Sequence, residues 1–108
     1  MSIALPPPVA AYFAAENRAD VDALARCVVD DGVVCDDGRT IEGLAAITQW
    51  NAAARARYHH TVEPIDAVER AGATVVVGTV SGDFPNSPVN LEHIFTLEAG
   101  KIRSVEIR

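Results

Sequence analysis

At 108 residues the chain has room for one hydrophobic core, so a single domain spanning residues 1–108 is expected. Its 49% hydrophobic and 22% charged residues are those of an ordinary globular protein, and a net charge of −6 with nine scattered Lys and Arg argues against nucleic acid or an acidic membrane surface as partner. No apolar run approaches the roughly 20 residues of a membrane span, and Met1 to Pro8 lacks a basic segment ahead of an apolar one, so the expected location is the cytoplasm.

Pro6, Pro7 and Pro8 suit a first helical turn, where the missing N–H is not needed. Val9, Tyr12, Phe13 and Glu16 then recur at helical spacing, which predicts a helix over 7–18. Asp20 is the expected N-cap of a second helix with Val21, Leu24, Ala25 and Val28 on one side, stopping before Asp30. Val33 to Asp36 is a short β-prone run ended by the turn signal Asp37-Gly38. Gly43 opens a third helix over 44–58, with Leu44, Ile47, Trp50, Ala54 and Tyr58 at intervals of three and four.

From His59 to Glu69 the β-branched content rises, and Pro64 marks this strand as bulged or at an edge. Arg70 to Ala73 turns the chain into a strand over 74–84, whose run Val75 to Val77 suits burial on both faces. Strands over 89–97 and 101–107 follow, separated by Glu98-Ala99-Gly100. Leu91, His93, Phe95 and Leu97 alternate with Asn90, Glu92, Ile94, Thr96 and Glu98, and the first set is expected on the covered face. Three helices interrupted by a short strand, then four long strands, give an α+β fold with helices on one face of a mainly antiparallel sheet.

Cys27 and Cys35 have no CxxC spacing and read as buried reduced thiols. His59 and His60, adjacent on a strand, would point to opposite faces, so only one can reach an interior pocket. No metal site and no cofactor are expected.

Four stretches together resemble the NTF2-like superfamily, and within it the SnoaL-like and ketosteroid-isomerase-like proteins. They are Val9 to Asp20 (VAAYFAAENRAD), Asp30 to Asp36 (DDGVVCD), Gly43 to Trp50 (GLAAITQW) and Phe95 to Ile102 (FTLEAGKI). The resemblance implies a cone: a strongly curved, mainly antiparallel sheet wrapped around three N-terminal helices and enclosing an apolar pocket. It also implies a homodimer through the outer sheet face, where Glu92, Ile94 and Thr96 alternate with the inward set.

Ketosteroid-isomerase-like proteins use a carboxylate to move a proton beside a carbonyl while a tyrosine and a protonated carboxylic acid stabilise the enolate. By that resemblance Tyr12, Asp36 and His93 fall at the working positions. An ungapped match back from Gly100 would put Glu92 at the third position; counting the shorter turn puts His93 there and keeps Leu91, Phe95 and Leu97 on its face, and that register is preferred. Phe13, Trp50, Val77, Phe84 and Phe95 read as lining of the pocket or core. No arginine falls clearly inward on a strand, as the Asp–Arg epoxide-hydrolase branch of the superfamily would need.

Two functions follow as expectations. In the first, the pocket binds a small apolar carbonyl compound and catalyses an isomerase- or cyclase-type proton transfer, with Asp36 as base and Tyr12 and His93 as polarising donors. In the second, the same fold is a non-catalytic ligand-binding or dimerisation module.

Overall fold

The computed structural model describes residues 3–108; the readings made on Met1 and Ser2 lie outside them. Helix α1 runs Pro7–Arg18 and ends at Ala19, whose left-handed φ of 54° turns its N–H back onto the carbonyls of Ala15 and Glu16. Its buried stripe is Val9, Tyr12, Phe13, Ala15 and Glu16, so one carboxylate lies on the inward face of an otherwise apolar helix surface.

Helix α2, Val21–Cys27, is capped by Asp20, whose side chain accepts from the Ala23 N–H at 3.1 Å. The expected continuation through Val28 is not made. Val28 begins strand β1, Val28–Asp36, which passes through Asp30, Asp31 and Gly32 with a register shift and is longer than the expected four residues. The β-branched pair Val28-Val29 favours extended backbone, and the irregularity absorbs the turn-like residues that follow.

Asp37 and Gly38, at φ 51° and 76°, make a tight hairpin into β2, Arg39–Glu42, which pairs antiparallel with β1. The sequence reading omits β2 because only Ile41 of its four residues is buried. Helix α3 is Leu44–Tyr58. Of its expected stripe Ile47 is fully buried, whereas Leu44, Trp50, Ala54 and Tyr58 are half-buried.

Strand β3, Thr61–Arg70, starts two residues later than expected, because His59 is a left-handed helix cap at φ 48°. It is both an edge strand and bulged between Pro64 and Asp66. Strands β4 (Ala73–Ser81), β5 (Val89–Glu98) and β6 (Lys101–Ile107) complete the sheet. The strand order is β2-β1-β6-β5-β4-β3, with β1 and β6 parallel and every other pair antiparallel.

Against the inner face pack Val9, Tyr12, Phe13, Leu24 and Ile47 from the helices, meeting Val28, Val34, Val76, Phe95, Ile102 and Val105 from the strands. Burying each such side chain is worth about 1.5–3 kcal/mol. This is the α+β, NTF2-like arrangement. Leu97 departs from its expected place and is 41% exposed, because the β5–β6 register shifts between Thr96 and Leu97 and breaks the alternation there.

Candidate functional site

The inner face is not filled to its end. Beyond the core a cavity of about 580 Å³ opens between α1, α3, the sheet and the loop 82–88. Its wall contains Glu16, Asp36, Trp50, Tyr58, His60, Phe84, Leu91, His93 and Ile107.

Sheet register delivers two of these. Asp36 pairs with Ile107 across β1–β6, and Ile107 pairs with His93 across β6–β5, so the three side chains form one row on one face. Two strand spacings, roughly 10 Å in all, separate the outer members. Glu92, one residue away, falls on the opposite face beside Val77.

Helix α3 supplies the contact that fixes the carboxylate. The Trp50 indole N–H donates to Asp36 Oδ2 at 3.3 Å, holding an aromatic ring against a half-buried anion.

His93 is 2% exposed, and its ring stands edge-on to Phe13 at 5.3 Å. Its Nδ1 lies 3.2 Å from the Leu91 carbonyl, which can only accept, so a hydrogen bond there is donated by Nδ1–H. Burial lowers the His93 pKa from 6.5, opposed by Glu16 and by the Leu91 and Val76 carbonyls, so the ring is neutral at pH 7. Gly78 makes room for it. A Cβ there would stand 2.6 Å from Val62 Cγ1 and 3.3 Å from His93 Cε1.

A second pair, not chosen among the sequence candidates, faces the same space. Glu16 is 4% exposed, and His60 Nε2 lies 3.5 Å from its Oε1. His60 Nδ1 is buried without a hydrogen-bond partner. Asn17 sets this corner: its side chain donates to the Val62 carbonyl and accepts from the Val62 N–H, both at 2.8 Å, joining the end of α1 to the start of β3. The signal for Glu16 is a carboxylate on the apolar stripe of α1; for His60 it is the expectation that only one of the two adjacent histidines reaches the interior: neither lies on a strand, and His59, the cap of α3, points to solvent and pairs with Asp83 at 3.0 Å.

Of the expected site, Asp36, His93, Trp50 and Phe84 line the cavity. Tyr12, Phe13 and Phe95 do not. They form an edge-to-face cluster with ring centroids 5.4–5.6 Å apart, fully enclosed in the core. The Tyr12 hydroxyl is buried with no partner in hydrogen-bonding geometry, and burial, with the Glu16 carboxylate adding to it, raises its pKa well above that of a free phenol. Val77 stands on the other face of the sheet, because its cross-strand partner is Glu92 rather than His93.

The cavity wall contains no Lys or Arg. Arg55 reaches this corner but donates to the backbone carbonyl of Glu16 at 2.6 Å. Among the described residues no group of three His, Cys, Asp or Glu side chains is placed to hold a metal ion, and no helix is long and apolar enough to cross a membrane.

The family model of the SnoaL-like domain matches residues 9–105. Among solved structures, the chain is similar to a Sinorhizobium meliloti protein provisionally assigned as a polyketide cyclase, with 38% identity, TM-score 0.93 and coverage of 96% of this chain and 95% of that one. It is also similar to an epoxide hydrolase/cyclase-like enzyme of pyran-ring formation in the polyether salinomycin (25% identity, TM-score 0.79, 94% and 86% covered). A Catenulispora acidiphila protein with a ketosteroid isomerase-like fold, in complex with trimethylamine, shares the fold at 20% identity and TM-score 0.83, with 97% and 86% covered. No curated protein matches at a significant level. A family model spanning nearly the whole chain, and a relative this similar along almost all of it, show that the chain belongs to the SnoaL-like domain family.

Proposed function

We propose that the cavity binds a small, largely apolar carbonyl compound and that Asp36 moves a proton at the carbon beside the carbonyl, in an isomerase- or cyclase-type reaction without a cofactor. The observation that carries this reading is the Asp36 carboxylate, held by the Trp50 indole in a mainly apolar cavity and aligned with a buried neutral histidine. A carboxylate fixed in this way needs no reorganisation before it accepts a proton.

In this scheme Asp36 takes the C–H proton and the electrons pass to the carbonyl oxygen; the enolate is then reprotonated by Asp36 at a second carbon, or its carbon bonds to a second carbonyl carbon of the ligand, whose π electrons form the alkoxide that takes the proton back. We assign His93 a part in orienting the ligand. With Nδ1–H committed to Leu91, Nε2 is an acceptor and orients a substrate hydroxyl or enol. Tyr12 is sealed in the core and has no contact with ligand in this scheme. The assignments of the Sinorhizobium and salinomycin relatives support ring closure as the reaction class.

The test is a nuclear magnetic resonance titration with a panel of small ketones and polyketide-like enones, followed by turnover with wild type and Asp36→Asn. Binding retained and turnover lost in the variant supports the base. The enclosure of Tyr12 favours a second reading, ligand carriage without chemistry, which predicts binding to both proteins and turnover by neither.

A further inference from the structure

The proton-transfer scheme leaves Glu16, Asp37, Tyr58 and His60 of the cavity wall unused. Glu16, at 4% exposed, is a buried acidic side chain on the cavity wall, with His60 Nε2 at 3.5 Å from its Oε1. The His60 contact is long for a hydrogen bond, and the buried Tyr12 hydroxyl also lies beside this carboxylate. Arg55, which lies within reach, is committed to the backbone carbonyl of the same residue. A buried carboxylate whose neighbours are a histidine at 3.5 Å and a phenol, with no Lys or Arg side chain on the cavity wall, is stabilised further by a ligand that brings a cation.

The rest of the wall has the same polarity. Asp36 and Asp37 line it as well, there is no Lys or Arg, and His93 is neutral, so even a charged His60 leaves the carboxylates in excess. The whole chain, at −6, adds to the negative potential. Trp50, Tyr58 and Phe84 bring aromatic rings to the same space. Arg57 stacks on Tyr58 at 5.2 Å, so that ring already faces a cation, and Trp50 and Phe84 are the rings left for a ligand. An anionic ligand would meet repulsion without compensation.

We infer that the ligand of this cavity carries a cationic amine, protonated or quaternary, recognised by the Glu16 carboxylate and the aromatic rings of Trp50 and Phe84. This rests on the reading of the cavity as a ligand site and narrows the substrate class to carbonyl compounds bearing an ammonium group. Asp36 remains free for the reacting end.

The probe is a matched pair: a methyl ketone carrying a trimethylammonium group on a three-methylene spacer, and its tert-butyl carbon isostere. The two share shape and carbonyl and differ in charge. Calorimetric titration of wild type at low ionic strength is expected to favour the cation by at least about tenfold. That preference shrinks as salt rises and is lost in Glu16→Gln. Should the variant not fold, the wild-type pair across a salt series decides alone. Equal or tighter binding of the neutral isostere overturns this inference and leaves the carbonyl-pocket reading intact. Binding of neither overturns both.

Discussion

Asp36 and His93 stand in one row of the sheet, separated by Ile107 of the intervening strand. The parallel β1–β6 pair creates this alignment, because it brings the end of the first strand beside the last strand of the chain. Asp36→Asn keeps the shape and the acceptor for the Trp50 N–H while abolishing the base. Turnover is expected to fall by roughly 10²–10⁴-fold with ligand affinity retained. Single-turnover kinetics beside a binding isotherm checks both, and an unchanged rate removes Asp36 from the mechanism.

His93 ties the site to acid stability. Its folded pKa lies below 6.5, so between the two values the unfolded chain binds a proton that the folded chain refuses. At higher pH both states are neutral and the residue makes no difference. As pH falls below about 6.5 its contribution turns against the fold, and the loss levels off beneath the folded pKa. Urea midpoints measured from pH 8 to 5 should therefore fall less steeply in His93→Gln than in wild type. Parallel curves would show that another group controls acid unfolding.

Gly78 is the packing condition for that histidine. An added methyl group would press on Val62 Cγ1 and His93 Cε1 together, and Val62 is pinned through its backbone by Asn17. Gly78→Ala is expected to cost about 1–3 kcal/mol by overpacking. It should also shift the His93 ring resonances. Chemical denaturation and a histidine-edited spectrum read the two effects independently.

The parts of the fold legible in the sequence are those whose side chains repeat a period against a closed core. Helices α1 and α3 and strand β6 have the bounds that spacing, prolines and turn residues predict. Strand β2 was hidden because one buried residue in four makes no alternation, and the start of β1 because turn-forming residues sit inside a bulge. Periodicity shows that a residue faces inward without showing whether the interior there is filled. That is why Tyr12 and Phe95 were expected at a pocket that Glu16 and His60 occupy instead. The apolar run Val75 to Val77 similarly conceals parity, which only the pairing of Val77 with Glu92 resolves.

The two thiols, both expected to be buried, differ. Cys27 is 6% exposed, donates to the Leu24 carbonyl at 3.2 Å and has its pKa pushed up by burial; Cys35 is half-buried on β1. Reaction with a disulfide reagent at pH 8 should be biphasic, with Cys35 in the fast phase and Cys27 reacting only as the fold opens. Cys35→Ser should remove the fast phase. A single fast phase of two equivalents would contradict this packing.

The outer sheet face bears on assembly. Register places Val68, Val75 and Ile94 in one row across β3, β4 and β5, on the side away from the cavity. Val68 is 44% exposed and Ile94 half-buried, so part of an apolar row is open to water in the single chain. A specific interface buries about 800 Å² per partner, which a sheet face of this size can supply. We therefore expect a homodimer through this face in sedimentation equilibrium at micromolar concentration. Ile94→Asp should dissociate it, since a carboxylate in the centre of an apolar contact would lose its hydration without a partner. Because Ile94 points away from His93, the variant should keep the cavity and its ligand affinity, separating assembly from binding. A wild-type monomer at tens of micromolar would remove this face as an interface.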